Sequence, residues 1–287
     1  MKIAIASGKG GTGKTTVAVG LSSVMEGAVV ADCDVEEPNA ALFLKPEIVE
    51  KVNAHVLVPR VDLKKCTYCR KCAVSCRFGA ITVIPPSKSG LTGQVLVFDH
   101  LCHSCGACIT ACTDKALSEQ PREIGMIEKG NFNNGQLITG RLNIGEAMAP
   151  PLIKKVKAEA ENAKFLIIDA PPGNSCPMVA SVKGTDYVLL VTEPTPFGLN
   201  DLKIAVDTLR QKKLKFGVVI NRSGPRDSII EDFCALEKIK IEARIPFMRK
   251  AAEVYSRGGS ISGEVPELKA IFEGLGKRLL EYSGGIQ

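Results

Sequence analysis

The stretch Ser7-Gly8-Lys9-Gly10-Gly11-Thr12-Gly13-Lys14-Thr15-Thr16 constrains this chain more than any other. Before it, Lys2 to Ala6 is a short apolar run suited to a buried parallel strand; after it, Thr16 to Met25 can be helical. Strand, glycine-rich turn and helix in that order are the setting of a phosphate-binding loop. Gly8, Gly13, Lys14 and Thr15 satisfy G-x-x-x-x-G-K-[ST], and the backbone from Gly8 through Gly10, Gly11 and Thr12 to Thr16 can close on phosphate oxygens at a helix N-terminus. Lys14 would then meet the β- and γ-phosphates and Thr15 a magnesium ion. Such a chain is expected to be α/β, with a mostly parallel sheet flanked by helices. Aromatics at 5%, no Trp and abundant Val, Ile, Leu and Ala agree with that expectation.

A second feature interrupts that plan. Eight of the eleven cysteines fall between Cys66 and Cys112, in two copies of C-x-x-C-x-x-C-x-x-x-C offset by 36 residues. The copies are Cys66, Cys69, Cys72, Cys76 and Cys102, Cys105, Cys108, Cys112; Ala80-Ile81 and Ala116-Leu117 follow at equal distances. The opening MKIAIASGKG is too short an apolar run for a secretory leader, and no segment approaches the roughly 18 apolar residues of a membrane span. A cytoplasmic protein with no membrane partner is expected, in which clustered cysteines are metal ligands rather than disulfides. Paired zinc sites compete with iron–sulfur clusters here, but zinc does not require the doubled run. Three segments result: 1–58 and 119–287 as the two parts of the nucleotide domain, and 59–118 as an α+β insertion.

Further strands end in polar residues, at the sheet edge where α/β proteins place ligands. Ala28 to Ala31 leads to Asp32-Cys33-Asp34, Phe165 to Ile168 leads to Asp169-Ala170-Pro171-Pro172-Gly173, and Phe216 to Ile220 leads to Asn221. Tyr187 to Thr192 is another strand, and Glu123 to Glu128 pairs with Gln136 to Leu142 through a turn at Asn133-Asn134-Gly135. Helices are expected over Glu146 to Ala163, broken near its start by Pro150 and Pro151, over Leu199 to Leu209, and over Pro266 to Tyr282. The last has a single apolar face, Leu268, Ile271, Phe272, Leu275, Leu279 and Tyr282, expected to pack on the core.

With Lys9 as a second lysine in the loop, KGGTGKT resembles the deviant Walker A of the MinD, Mrp and nitrogenase iron protein family. DCDVEEPN resembles that family's switch I, and DAPPG is similar to the Walker B and switch II of the Mrp branch. The resemblance implies a magnesium-dependent ATPase that forms a homodimer on binding ATP. Lys9 would reach the partner's nucleotide, Lys14 would bind phosphate, and Asp34 would orient the attacking water. Thr15 and Asp169 would hold Mg2+, Gly173 would answer the γ-phosphate, and Asn221 with Pro246 would meet adenine. The doubled cysteine run resembles the bacterial two-cluster ferredoxins, whose fourth cysteine ligates the other cluster. It implies two [4Fe-4S] clusters, one on Cys66, Cys69, Cys72 and Cys112, the other on Cys76, Cys102, Cys105 and Cys108. Proline after the fourth cysteine is replaced by Arg77 and Thr113.

Together these imply an ATP-hydrolysing iron–sulfur protein, a dimer switch coupled to electron transfer or metal-cofactor maturation in a redox or metalloprotein partner. The alternative is a MinD-like positioning ATPase with structural or redox-sensing clusters. The formal charge is +6, and clusters at about −2 each would reduce it to roughly +2, so no nucleic-acid partner is expected. Arg141 to Ile153 is similar to a surface segment of ferredoxin-bearing MinD-like ATPases and receives no chemical role.

Overall fold

The computed structural model describes residues 1–87, 90–133, 135–259 and 261–284. The backbone separates into two compact units. One comprises Met1–Val52, Met126–Leu142 and Ala149–Gln287; the other comprises Asn53–Gly125 and Asn143–Met148. The chain therefore passes between them four times, whereas a single insertion would pass twice.

Eleven strands occur among the described residues: β1 (Lys2–Ala6), β2 (Ala28–Asp32), β3 (Glu47–Val61), β4 (Ile81–Ile84), β5 (Gln94–Val97), β6 (Leu117–Phe132), β7 (Gly135–Leu142), β8 (Phe165–Asp169), β9 (Tyr187–Thr192), β10 (Phe216–Ser223) and β11 (Ile241–Pro246). Nine form one sheet in the order β11-β10-β9-β1-β8-β2-β7-β6-β3. From β11 to β7 every neighbouring pair is parallel. Burial on both faces explains the near-continuous apolar character of β1, β8 and β9.

The helices of the nucleotide unit are α1 (Lys14–Ser22), α2 (Ala40–Leu44), α5 (Pro150–Glu159), α6 (Cys176–Val182), α7 (Pro196–Gln211), α8 (Ser228–Leu236), α9 (Arg249–Ser256), α10 (Ile261–Glu264) and α11 (Pro266–Gly284); α3 (Lys71–Ser75) and α4 (Ala107–Ala111) belong to the other unit. α5 corrects the expected helix from Glu146. Pro150 and Pro151 start it rather than break it, because proline's missing N–H costs nothing in a first turn. α11 buries Leu268, Phe272, Leu275 and Leu279, and the Phe272 ring fills the space a side chain on Gly20 would need, 2.3 Å from its Cβ position. The apolar face of α11 thus closes the core over α1. The turn expected at Asn133-Asn134-Gly135 includes Asn134, which lies outside the described residues.

In the second unit the sequence repeat is also a backbone repeat. α3 and α4 begin 36 residues apart, and each follows a left-handed residue, Arg70 at φ 65° or Gly106 at φ 71°. Tyr68 and Ser104 are likewise left-handed, as are Gly79 and Lys115. A non-glycine residue in this region costs on the order of 1 kcal/mol or more, so the turns persist because their surroundings demand them. β4 and β5 form an antiparallel hairpin, Ile81 opposite Val97. Its core is small: Ile81, Val83 and Cys108, flanked by partly buried Tyr68, Val95, Val97 and Leu117.

Candidate functional site

The glycine-rich loop leaves β1 at its C-terminal end and enters α1 through Gly13, whose φ of 91° is left-handed. A Cβ on Gly13 would lie 2.2 Å from Asn221 Nδ2, and one on Gly8 would lie 2.4 Å from the Asp201 carbonyl oxygen. Both positions therefore need glycine to keep the loop tight. The Ser7 hydroxyl donates to the Lys9 carbonyl at 2.6 Å. Lys9 itself is half-buried, whereas Gly10 and Gly11 are exposed.

Four of the expected residues converge behind the loop. Thr15 Oγ1 donates to Asp169 Oδ2 at 2.6 Å, and Lys14 is buried with Asp169 and Asp34 as the carboxylates that stabilise its charge. Burial nonetheless holds the Lys14 ammonium below its ordinary value. Burial pushes Asp169 up to about 7, with the Thr15 hydroxyl and Lys14 opposing and Asp34 adding to the rise. It pushes Asp34 up to about 6, against the pull of Lys14. Asp169 Oδ1 and Thr12 Oγ1 are buried without a hydrogen-bond partner. An orphaned carboxylate oxygen next to a Thr hydroxyl and a lysine fits a hard cation beside phosphate, so these residues suit Mg2+ with a nucleotide.

Asp32 takes a different part. Fully buried, it accepts from the backbone N–H groups of Asp34, Asn39 and Ala40 at 3.2, 3.1 and 3.0 Å, fixing the turn that presents Asp34. Burial, then Asp169, holds its carboxyl well above the ordinary range. The Gly173 N–H donates to the Ser7 carbonyl at 3.1 Å, so answering a phosphate requires that bond to break. Asn221 Nδ2 donates to the Thr12 carbonyl at 2.7 Å, which ties the end of β10 to the loop. Pro246 ends β11 opposite Ser223 and is exposed, as is Phe247 beside it. A cavity of about 310 Å3 lies between the two acidic turns, lined by Asp34, Glu37, Pro171, Pro172 and Ser175 among others.

Sequence reasoning missed Lys157. Its ammonium donates to the carbonyls of Ala180, Ser181 and Lys183 at 3.0, 2.7 and 2.6 Å, capping the C-terminal end of α6, which follows the Asp169 turn. No local pattern signals such a long-range cap. Cys176 at the start of α6 is exposed, while Cys33 and Cys234 are buried.

In the second unit the cysteines line two cavities. Cys66, Cys69, Cys72 and Cys112 line one of about 20 Å3; Cys76, Cys102, Cys105 and Cys108 line the other, also of about 20 Å3. Each set takes three cysteines from one repeat and the fourth from the other. Cys69 and Cys105, equivalent in the repeat, are the exposed members. The N–H groups of Tyr68, Ala80 and Ala116 donate to Cys66, Cys76 and Cys112 sulfurs at 3.4, 3.4 and 3.2 Å. Among the described residues no three His, Cys, Asp or Glu side chains converge on a single ion. Four thiols spread around a volume, with N–H groups aimed at sulfur, fit a cluster. Arg122 forms a forked ion pair with Glu146, whose side chain is 3% exposed, and so pins Asn143–Met148 within this unit.

A parallel sheet carrying this loop, with a buried aspartate on the adjacent strand, defines a P-loop nucleotide-binding ATPase. The chain belongs to the CobQ/CobB/MinD/ParA nucleotide binding domain family, whose pattern it matches over residues 3–261. It is similar to an uncharacterised protein of Methanocaldococcus jannaschii, 30% identical over 273 residues and covering 91% of each chain. An iron-sulfur cluster carrier protein of Pyrococcus abyssi is 26% identical over 295 residues, covering 95% of this chain and 83% of that one. In fold it resembles the septum site-determining protein MinD of Pyrococcus horikoshii, solved with Mg-ADP. The TM-score is 0.59 at 21% identity, covering 98% of this chain and 96% of that one. Among the described residues no helix is long and apolar enough to cross a membrane.

Proposed function

We propose that this ATPase is an iron–sulfur protein of the Mrp-like branch. Its nucleotide-driven dimerisation is coupled to electron transfer or to metal-centre maturation in a partner protein. The observation that carries the reading is the pair of cavities, each lined by four cysteines drawn from both repeats, in the same chain as a phosphate loop. The cysteine sets would hold two [4Fe-4S] clusters, which supply one-electron redox capacity.

At the nucleotide site, Lys14, and Lys9 of the facing subunit, would offset charge developing on the transferred phosphoryl group. Thr15 and Asp169 would hold Mg2+. Asp34, placed by the Asp32 turn, would orient the attacking water and accept its proton hydrogen bond. Release of the Gly173 N–H from Ser7 toward phosphate would convert nucleotide state into a movement of the Asp169 turn. Four chain crossings give that movement covalent routes to the cysteine unit.

Anaerobic reconstitution should give about eight irons per chain with cubane absorbance, and ATP turnover should fall by about 10²-fold or more in Lys9→Ala. Zinc uptake or absent cubane absorbance would remove the redox half of the proposal; unchanged turnover in Lys9→Ala would remove the dimer half. The thin core of the cysteine unit favours a second reading, a MinD-like partner-binding ATPase whose clusters are structural or sense redox state. An acceptor reduced only during ATP turnover would select the first reading.

A further inference from the structure

The two cysteine cavities share a backbone but not a rim. Lys64, Lys65, Arg70 and Lys71 surround the first set, and Arg70 and Lys71 line its cavity. At the positions 36 residues on, the second repeat carries His100, Leu101, Gly106 and Ala107; each cavity lining includes one carboxylate, Asp114 in the first and Glu119 in the second, but the second includes no lysine or arginine. Arg77, beside Cys76 of the second set, is the one cation of the first repeat placed there. Only Lys65 of the four first-rim cations has a carboxylate partner among the described residues, a long contact of 3.7 Å to Asp62. Lys71 donates to the Thr113 hydroxyl at 3.2 Å. Val74 stands among them at 86% exposure, where the second repeat has Thr110, and Leu63 is 52% exposed.

Charge compensation does not account for this. Two clusters of one type carry one charge, and the cations that act on Cys102 of the second set, Arg60 and Arg122, are each paired to a carboxylate, Asp99 and Glu146, whereas three of the four first-rim cations are not. Cations that mostly lack a carboxylate partner among the described residues, set beside exposed Val74 and on one cavity alone, are instead the pattern of an electrostatically steered docking face.

We infer that the face around Cys66, Cys69 and Cys72, formed by Lys64, Arg70, Lys71 and Val74, docks an acidic one-electron carrier protein and makes this cysteine set the port for electrons. The inference rests on the cluster reading above. In the exchange one electron passes between the carrier's redox centre and the cluster at this set; one is oxidised as the other is reduced, and no bond forms or breaks.

The test uses the full chain, reconstituted anaerobically, reduced with dithionite and mixed in stopped flow with oxidised flavodoxin as an acidic carrier. The rate of electron transfer should fall at least about tenfold from low to high salt. The triple variant Lys64→His, Arg70→Gly, Lys71→Ala installs what the second repeat carries at the same backbone positions, so the turns are preserved. It should be about tenfold slower at low salt, with a flat salt dependence and unchanged iron content. Arg77→Thr, which likewise copies the other repeat, should stay within about twofold of the unaltered chain. Should the triple variant lose iron, Lys64→His alone should still slow exchange about threefold. A salt-independent rate in the unaltered chain, or an Arg77→Thr loss equal to the triple variant's, overturns the docking face while leaving the clusters in place. Failure to form cubanes at all overturns both.

Discussion

The nucleotide unit and the cysteine unit are stabilised in opposite ways. The first buries a broad apolar core that runs from Ile3 and Ile5 of β1 through Leu21 of α1 to Phe272 and Leu275 of α11. The second has a small cluster, Ile81, Val83 and Cys108, beside Val56, Val58 and Ile124 buried along its strands, and holds Tyr68, Arg70, Ser104 and Lys115 left-handed around its cysteines. A unit of that size with a small apolar core needs a staple, and two sets of four cysteines around its cavities provide the place for one. One unit thus folds on packing. In the other, Cys108 belongs at once to the apolar cluster and to one of the cysteine sets.

Stripping iron with a chelator under anaerobic conditions tests this most severely. The cysteine unit should unfold, seen as proteolytic cleavage confined to 53–125, while the nucleotide unit keeps its helical circular dichroism. Cleavage spread through both units would break the contrast. Phe272→Ala should act in the reverse direction, lowering the stability of the nucleotide unit in urea by about 3–5 kcal/mol. The cluster absorbance should then disappear at its own midpoint; a shared midpoint would mean that the α11 core also supports the cysteine unit.

A smaller effect comes from the acidic turn. Burial raises Asp34 to about 6, so its carboxylate costs stability as pH rises from about 4, where the unfolded chain ionises, through 6. Asp34→Asn should therefore be more stable than the unaltered chain at pH 7 and no more stable below about pH 4, read from urea midpoints at both values. Turnover of the unaltered chain should decline as pH falls through about 6, because protonation removes the acceptor for water. The variant should lack turnover throughout. Equal midpoints at both pH values would show that Asp34 carries no such cost.

The parts of the site visible in the sequence are those whose geometry is local. Gly8 to Thr16 encodes its own loop, and the cysteine spacing encodes its own turns, down to Gly79 and Gly106, each marking one member of a left-handed pair. Their partners Lys115 and Arg70 gave no such signal, since nothing in a lysine or arginine announces a positive φ. Relations across the chain were also hidden. Asn143–Met148 joins the cysteine unit through Arg122 and Glu146, 24 residues apart, and the N–H of Gly173 is held by Ser7. Asp32 and Asp34 look alike as sequence; only the fold separates the one that fastens the turn from the one it presents.

The mildest test concerns Asn221, where a base-recognition role meets a different hydrogen bond. Its amide N–H is committed to the Thr12 carbonyl, against a Gly13 that leaves no room for a Cβ. If holding the loop is what this side chain contributes, Asn221→Ala forfeits one hydrogen bond, about 1 kcal/mol, and nucleotide affinity falls about fivefold. ATP and GTP should weaken together, because the phosphate cradle, not the base edge, has lost its support. A loss confined to ATP would return Asn221 to the adenine and show that nucleotide binding draws its amide off the loop. In either case the iron content and absorbance of the cysteine unit should not change, which keeps the two units distinct even for a residue touching the phosphate loop.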